Sequence, residues 1–393
     1  MIRAAEIFLF INRNWLKLLV CFAALSFSCS ENKPARNERS DPPQGSDISY
    51  AKRFRLEEFE GYSLLSIINP WQGANNVIQK WYLVQKGEKH PAEVDSSRII
   101  EVPVQKVICM STTHLAMISA LNETATVIGF SGTKFIYGAD FEAKVSRGDL
   151  SDIGFDDNLN KELVLKLNPD LIMVYGIGGE SAGYIGKLKE LGIKVLFNAD
   201  YLETDPLGKA EWIKMVGSLY TRKDMADSIF RNIENEYNQL KIFIGENAAE
   251  KPKVLLGLPF RDTWFISPGN SYISELLDDA GGDYLWKQTT SSVSMPTGIE
   301  NVFLKALDAD YWLNAGSAAT MNEIMSIDPR LSELRCFKNG NVFNNNKRIN
   351  AHGGNDYWES GSLNPDIILK DIATILHPGL FRGYDLFYYR KLD

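Results

Sequence analysis

The chain has 393 residues, of which 45% are hydrophobic and 23% charged, with a formal net charge of −8. That length allows two or three domains with sizeable cores, and the acidic balance argues against nucleic acid or an anionic membrane surface as the main partner. It leaves the charge of a ligand open, because a cleft can differ locally from the total.

Residues 1–29 read as a lipoprotein signal peptide. Arg3, Arg13 and Lys17 precede the apolar run LLVCFAALSFS, which ends in small residues before Cys29 and is too short for a comfortable membrane span. The stretch LSFSC at 25–29 resembles a lipobox, which makes Cys29 the expected lipidation site, with Cys21 as a competing one. Residues 30–50 carry almost no large apolar side chain and read as a disordered tether. With Cys21 removed and Cys29 lipidated, Cys109 and Cys336 remain, and both are expected as buried free thiols.

Three strands are predicted at 53–59, 62–69 and 77–85, the last two joined by the turn-forming loop NPWQGANN, with a fourth near 98–102. These make 51–100 a strand-rich extension of an N-terminal lobe spanning 51–204. From Val104 onward the pattern alternates. VQKVICM, TVIGFSG, DLIMVYG and KVLFN read as strands, with helices at STTHLAMISALN, 160–169 and 181–191 between them. TKFIYGADFEAKVSRGDLSDIG is left as a loop. Such alternation implies βαβ units and a mostly parallel sheet covered on both faces.

Residues 205–246 read as connecting helices, one from Pro206 to Leu219 and one over 221–244. In the second, Met225, Ala226, Ile229, Phe230, Ile233, Tyr237 and Leu240 recur at helical spacing, and Thr221 with Asp224 suggests a capping box. About 24 helical residues span about 36 Å, enough for a strut between two α/β halves. The C-terminal lobe, 247–393, repeats the plan. KVLLGLPF, TWFISP, DYWLNAG and VFNNN read as strands; SYISELLDDAGG, IENVFLKALDA, 321–327 and 365–376 read as helices.

In open α/β sheets a ligand lies beyond the carboxyl ends of the strands. The candidate ligand-binding residues are therefore Ser111, Thr112, Thr113, His114, Ser131, Phe135, Tyr137, Tyr175, Gly176, Asn198 and Tyr201 in the first lobe. In the second they are Phe260, Arg261, Trp264, Asn314 and the loop 347–358 with Lys347, Arg348, His352 and Trp358. Aromatic residues on such loops suit a large, partly flat ligand, and the cations suit its acidic groups. His114 and His352 fall on predicted cleft loops of opposite lobes, but no HxxxH or cysteine pair supplies a dedicated metal set. In YGIGGESAG, Gly176 and Gly178 fit a dinucleotide fingerprint and Asp200 lies near the acidic position, while Ser181 stands where the third glycine belongs.

The runs KVICMSTTHLAMISALN, NKELVLKLNPDLIMVYG, GNSYISELLDDAGGDYLW, IENVFLKALDADYWLNAG and DIILKDIATILHPGLF, in this order over about 100–380, resemble the substrate-binding proteins of ABC importers for cobalamin, iron–siderophore complexes and haem. The resemblance implies two Rossmann-like lobes joined by one long helix, no catalysis, no cofactor, and a metal-complexed ligand clamped between the lobes. It implies a monomer, lipid-anchored in the periplasm, delivering its ligand to an inner-membrane permease. It also places a permease-docking glutamate on each lobe: Glu162, seven residues before Pro169, and Glu300 in the second lobe, where the spacing to Ala309 is nine and the proline is missing. The alternatives are a non-transport surface-binding lipoprotein on the same fold, a bare-metal-binding protein and an NAD-dependent enzyme.

Overall fold

The computed structural model describes residues 48–155, 158–176 and 183–393. Cys21, Cys29, the leader, most of the tether, and Gly178 and Ser181 of the glycine-rich loop lie outside the described residues.

The extension is a four-stranded sheet of β1 (Phe54–Phe59), β2 (Tyr62–Ile68), β3 (Ile78–Gln85) and β4 (Ile99–Val102) in that spatial order. The first two pairings are antiparallel and β3–β4 is parallel. The first lobe follows: β5 (Val107–Cys109), α1 (Thr112–Ala120), β6 (Val127–Phe130), α2 (Ala139–Arg147), β7 (Ser151–Asp152), α3 (Lys161–Leu167), β8 (Leu171–Val174), α4 (Gly183–Glu190) and β9 (Val195–Phe197). Its sheet runs β7-β6-β5-β8-β9, all parallel. Strands β5 and β8 are buried along their whole length, as expected at the centre of a sheet with helices on both faces.

Two short helices, α5 (Pro206–Ala210) and α6 (Trp212–Leu219), replace the single one expected, and α7 (Lys223–Asn247) is the strut. The divide between α5 and α6 falls at Glu211. Its buried carboxylate accepts the backbone N–H groups of Ser49, Tyr50 and Ala51 at 2.8–3.2 Å and pairs with Lys214 at 2.9 Å. Glu203 holds the N–H groups of Lys52 and Arg53 in the same way, at 3.0–3.1 Å. Residues 48–50, read as tether from composition, thus belong to the folded body. No local pattern signals this, because both acids lie about 150 residues downstream.

Helix α7 has 25 residues and so spans about 37 Å. Its expected capping box does not form: Thr221 has φ 54° and Arg222 takes the N-cap with no side-chain bond. Ala226, Phe230, Ile233, Tyr237 and Ile244 form its buried face, each large one contributing about 1.5–3 kcal/mol by burial. Near its start Ala226 packs on Gly217 of α6. Further along, Tyr237 and Lys241 bind Asp279 of the second lobe at 2.6 and 2.8 Å. One helix therefore grips both lobes.

The second lobe comprises β10 (Lys253–Leu256), β11 (Thr263–Ile266), α8 (Tyr272–Asp279), β12 (Asp283–Tyr284), β13 (Met295–Gly298), α9 (Ile299–Ala306), β14 (Tyr311–Leu313), α10 (Met321–Ile327), α11 (Arg335–Lys338), β15 (Val342–Asn344), α12 (Pro365–Leu376) and β16 (Arg390–Lys391). Its sheet order is β12-β10-β14-β15-β16, parallel except for β16. β11 leaves this sheet and pairs antiparallel with β13. The fold is thus α/β, two lobes with mostly parallel sheets joined by one long helix. Helix α2, inside the stretch read as loop, lacks a local side-chain cap at Gly138; its first free N–H is bound from the other lobe, as described below. Cys109 and Cys336 are buried and free, and burial raises both thiols, Cys336 to about 12.

Candidate functional site

The carboxyl ends of β5, β8 and β9 bring three polar segments together. After β5, Ser111 caps α1 by accepting the Thr113 N–H at 3.3 Å, and its hydroxyl lies 3.1 Å from that of Thr113. Thr112 opens the helix beside it, part-buried. After β9, Asn198 is sealed inside and accepts the Asp200 N–H at 3.0 Å, fixing the turn. That turn buries Asp200 to 1% exposure next to Thr113, with one carboxylate oxygen lacking a protein partner. Burial raises the Asp200 carboxyl; Lys209 of α5 and the Thr113 hydroxyl oppose the rise. Tyr201 donates to the Gly176 carbonyl at 2.7 Å, and Tyr175 meets the Tyr201 ring edge-on at 6.5 Å.

The second lobe faces this floor through α8. Tyr272 lies under the Lys209 ammonium, 5.0 Å from the ring centre, and its buried hydroxyl has no protein partner. Among the described residues no carboxylate comes within ion-pair distance of Lys209. Unpaired buried polar atoms are uncommon in folded proteins, so those of Asp200 and Tyr272, with the Lys209 ammonium between them, make a floor suited to a ligand carrying both donors and acceptors. None of the three was among the sequence candidates for ligand contact. They come from a strand end, a connecting helix and the other lobe, and share no spacing.

The extension reaches the same place. Trp71 forms a parallel bridge with Gly176, the Gln72 N–H donates to the Gly176 carbonyl at 3.2 Å, and the Trp71 ring packs on Phe197 at 5.4 Å. Gly176 is thus approached by protein rather than left free for a phosphate. A tryptophan in the turn-forming loop NPWQGANN was the available signal for this contact.

Several sequence candidates serve the scaffold instead. His114 is fully buried in α1 with both ring nitrogens unpartnered, and burial lowers its pKa to about 3. His352 is exposed on the other lobe, with its N–H bound to Asn350. The two do not form a metal pair, and among the described residues no group of three His, Cys, Asp or Glu is placed to hold a metal ion. Trp264 is core: it donates to the Leu256 carbonyl at 2.9 Å and packs on Trp312 at 5.7 Å. Ser131 is buried and donates to the Gly154 carbonyl at 2.8 Å. Asn314 sits at φ 56° and accepts from Tyr389. Lys347 pairs with Asp385 at 2.9 Å.

Exposed aromatic surface remains at Phe260, 65% exposed with Arg261 stacked 5.3 Å from its centre, and at Trp358, 56% exposed beside Tyr357. Phe135 meets Phe155 at 5.9 Å. Tyr137 lies under Arg348, which is itself held by Asp356 at 2.6 Å. Glu162 and Glu300 are both exposed in the first turns of α3 and α9, where a helix dipole favours an acid; Arg330 stands 3.5 Å from Glu300.

The family profile described as "Periplasmic binding protein" matches residues 107–348. An uncharacterized lipoprotein of Methanocaldococcus jannaschii is 30% identical over 369 residues, which is 88% of this chain and 85% of that one. A periplasmic haem-binding protein of Pseudomonas aeruginosa superposes with a TM-score of 0.57 at 14% identity, over 74% of this chain and 98% of its own. The periplasmic vitamin B12-binding protein of Vibrio cholerae does so at 0.52 and 16%, over 70% and 97%. Identities this low speak to fold.

Proposed function

This chain belongs to the periplasmic binding protein family, and from that premise we propose that it captures a metal-complexed organic ligand between its lobes and hands it to an ABC permease. One observation carries the reading. Asp200 of the first lobe and Tyr272 of the second, each with a buried polar atom that has no protein partner, converge on Lys209 of the connecting helix α5. Haem- and B12-binding proteins share the fold, which supports a ligand of that class. Ser111, Thr113, Tyr175, Tyr201, Phe260, Arg261 and Trp358 are the remaining contact residues we propose, with Trp71 and Gln72 adding a wall from the extension. Lipid on Cys29 and docking through Glu162 and Glu300 complete the proposal.

Titrating the full chain with haemin, cyanocobalamin, ferric siderophores and free metal ions, followed by tryptophan fluorescence, tests the ligand class. Saturable binding of one complex at micromolar concentration or better supports it; failure of the whole panel removes it. Docking is tested separately. Glu162→Arg with Glu300→Arg leaves ligand affinity intact and sharply lowers uptake. Exposed pairs contribute only about 0.2–1 kcal/mol each, yet two on a rigid frame also set orientation.

A further inference from the structure

The lobes are tied across their front by a contact that involves neither the polar floor nor α7. The segment 348–359 of the second lobe lies against 134–138 of the first, and most of its bonds go to main chain. The Asn350 amide donates to the carbonyls of Ile136 at 2.8 Å and Lys134 at 3.2 Å. Each oxygen of Glu359 accepts one backbone N–H, from Tyr137 and from Gly138, both at 2.8 Å. Gly354 passes so close that a Cβ there would stand 2.4 Å from the Phe135 carbonyl oxygen. The Arg348 guanidinium covers the Tyr137 ring at 5.2 Å.

Glu359 is the buried ionisable group of this contact whose charge has no ion-pair partner among the described residues; Arg348 and Asp356 pair with each other. Glu359 is 4% exposed. The acids around it are Asp356 from its own segment and Asp140 and Glu142 from α2. In the cavity beside it, helix α1 contributes Leu115, Ala116, Ser119 and Ala120, and the chain after Glu359 contributes Ser360, Leu363 and Asn364. Arg348, the cation of this segment, is committed to Asp356 at 2.6 Å. A carboxylate here is desolvated among like charges whenever the lobes shut.

We propose that segment 348–359 is a proton-dependent latch, in which Glu359 takes up a proton as the lobes close and releases it as they part. Burial, reinforced by Asp356 and Glu142, outweighs the two N–H bonds and holds the closed-state carboxyl at about 7, against its ordinary 4.5 in water. The sign follows directly. A carboxyl raised in the closed state favours closure fully at pH below its open-state value, and the advantage is lost as pH rises through the closed-state value. Taking those two values, the closed-to-open ratio falls on the order of 50-fold between about pH 5 and about pH 8. Acid keeps the cleft shut around its ligand, and a neutral or alkaline medium speeds exchange. The latch does not depend on what the ligand is.

Hydrogen exchange at the Tyr137 and Gly138 amides of the full chain, without ligand and corrected for the intrinsic pH dependence of exchange, tests the latch. Wild type is expected to lose protection there on the order of 50-fold over that range. Glu359→Gln, which keeps an acceptor and cannot ionise, flattens the dependence. Asn350→Ala lowers protection at every pH and leaves the slope unchanged. Protection in wild type that is level with pH overturns the proposal, as does a slope that survives Glu359→Gln. Should Glu359→Gln not fold, the wild-type and Asn350→Ala profiles decide it.

Discussion

Substituting alanine for Gly176 tests whether the extension is part of the cleft wall. Gly176 follows β8 at the ligand end of the sheet, and its φ lies outside the left-handed region, so alanine meets no backbone strain there. The obstacle is contact. The new methyl would lie 2.4 Å from the Trp71 Cβ, 3.0 Å from its Cα and 3.1 Å from a Phe197 ring carbon. A normal carbon contact is about 3.5–4.0 Å, so the Trp71 backbone must retreat by roughly 1 Å. That movement breaks the bond from the Gln72 N–H and loosens the Trp71–Phe197 packing. Overpacking costs about 1–3 kcal/mol and the lost bond about 1 kcal/mol more. We expect Gly176→Ala to destabilise the chain by about 2–4 kcal/mol in urea unfolding. In a Trp71→Gly background the 2.4 Å contact is gone and the same alanine is expected to cost less, with only the tight 3.0 and 3.1 Å contacts to the residue-71 Cα and Phe197 left to relax. A neutral Gly176→Ala in wild type refutes the docking of the loop; an equal cost in both backgrounds shows that the clash lies elsewhere.

Three further outcomes are expected. Glu211→Ala strands three backbone N–H groups and Lys214, costing about 3–5 kcal/mol in denaturant unfolding. Proteolysis should then attack the chain near residues 48–53 first; an unchanged cleavage pattern contradicts the clamp. Lys209→Met is expected to weaken binding of whichever panel complex binds by on the order of tenfold or more, with stability changed by less than about 1 kcal/mol. A large stability loss with unchanged affinity would make Lys209 structural. Asp279→Ala releases both Tyr237 and Lys241 from the strut and should cost about 2–3 kcal/mol, read as a shift in urea midpoint.

Much of the fold is local and therefore legible. The strand runs of both sheets are short, continuous and apolar because parallel strands are buried on both faces, and the strut shows its buried face at helical spacing. The extension strands at 54–59, 62–68, 78–85 and 99–102 lie within a residue or two of expectation. What failed depends on distant partners. Helix α2 was hidden because Gly138 at its start is bound by Glu359, 221 residues away. The folded body's first residues were hidden because Glu211 and Glu203 hold them. The site was legible only as a neighbourhood. The rule that ligands lie beyond strand ends pointed to Ser111–Thr113, Tyr175, Tyr201 and Phe260–Arg261, most of which we propose as contacts. It could not tell them from Ser131, Asn198 and Trp264, which occupy similar positions and turn inward. Nor could it find Lys209, Tyr272 or Trp71, which follow no strand of either parallel sheet.

The central claim is that one ligand is gripped by both lobes. Hydrogen exchange of the full chain with and without the complex it binds tests this most directly. Simultaneous protection is expected at 111–113 and 200–201 in the first lobe and at 260–261 and 272 in the second. A groove of about 730 Å³ between the extension and helices α6 and α7, lined by Leu56, Phe59, Tyr62 and Lys223, offers an internal comparison. Protection confined to one lobe, or to that groove, would contradict capture between the lobes.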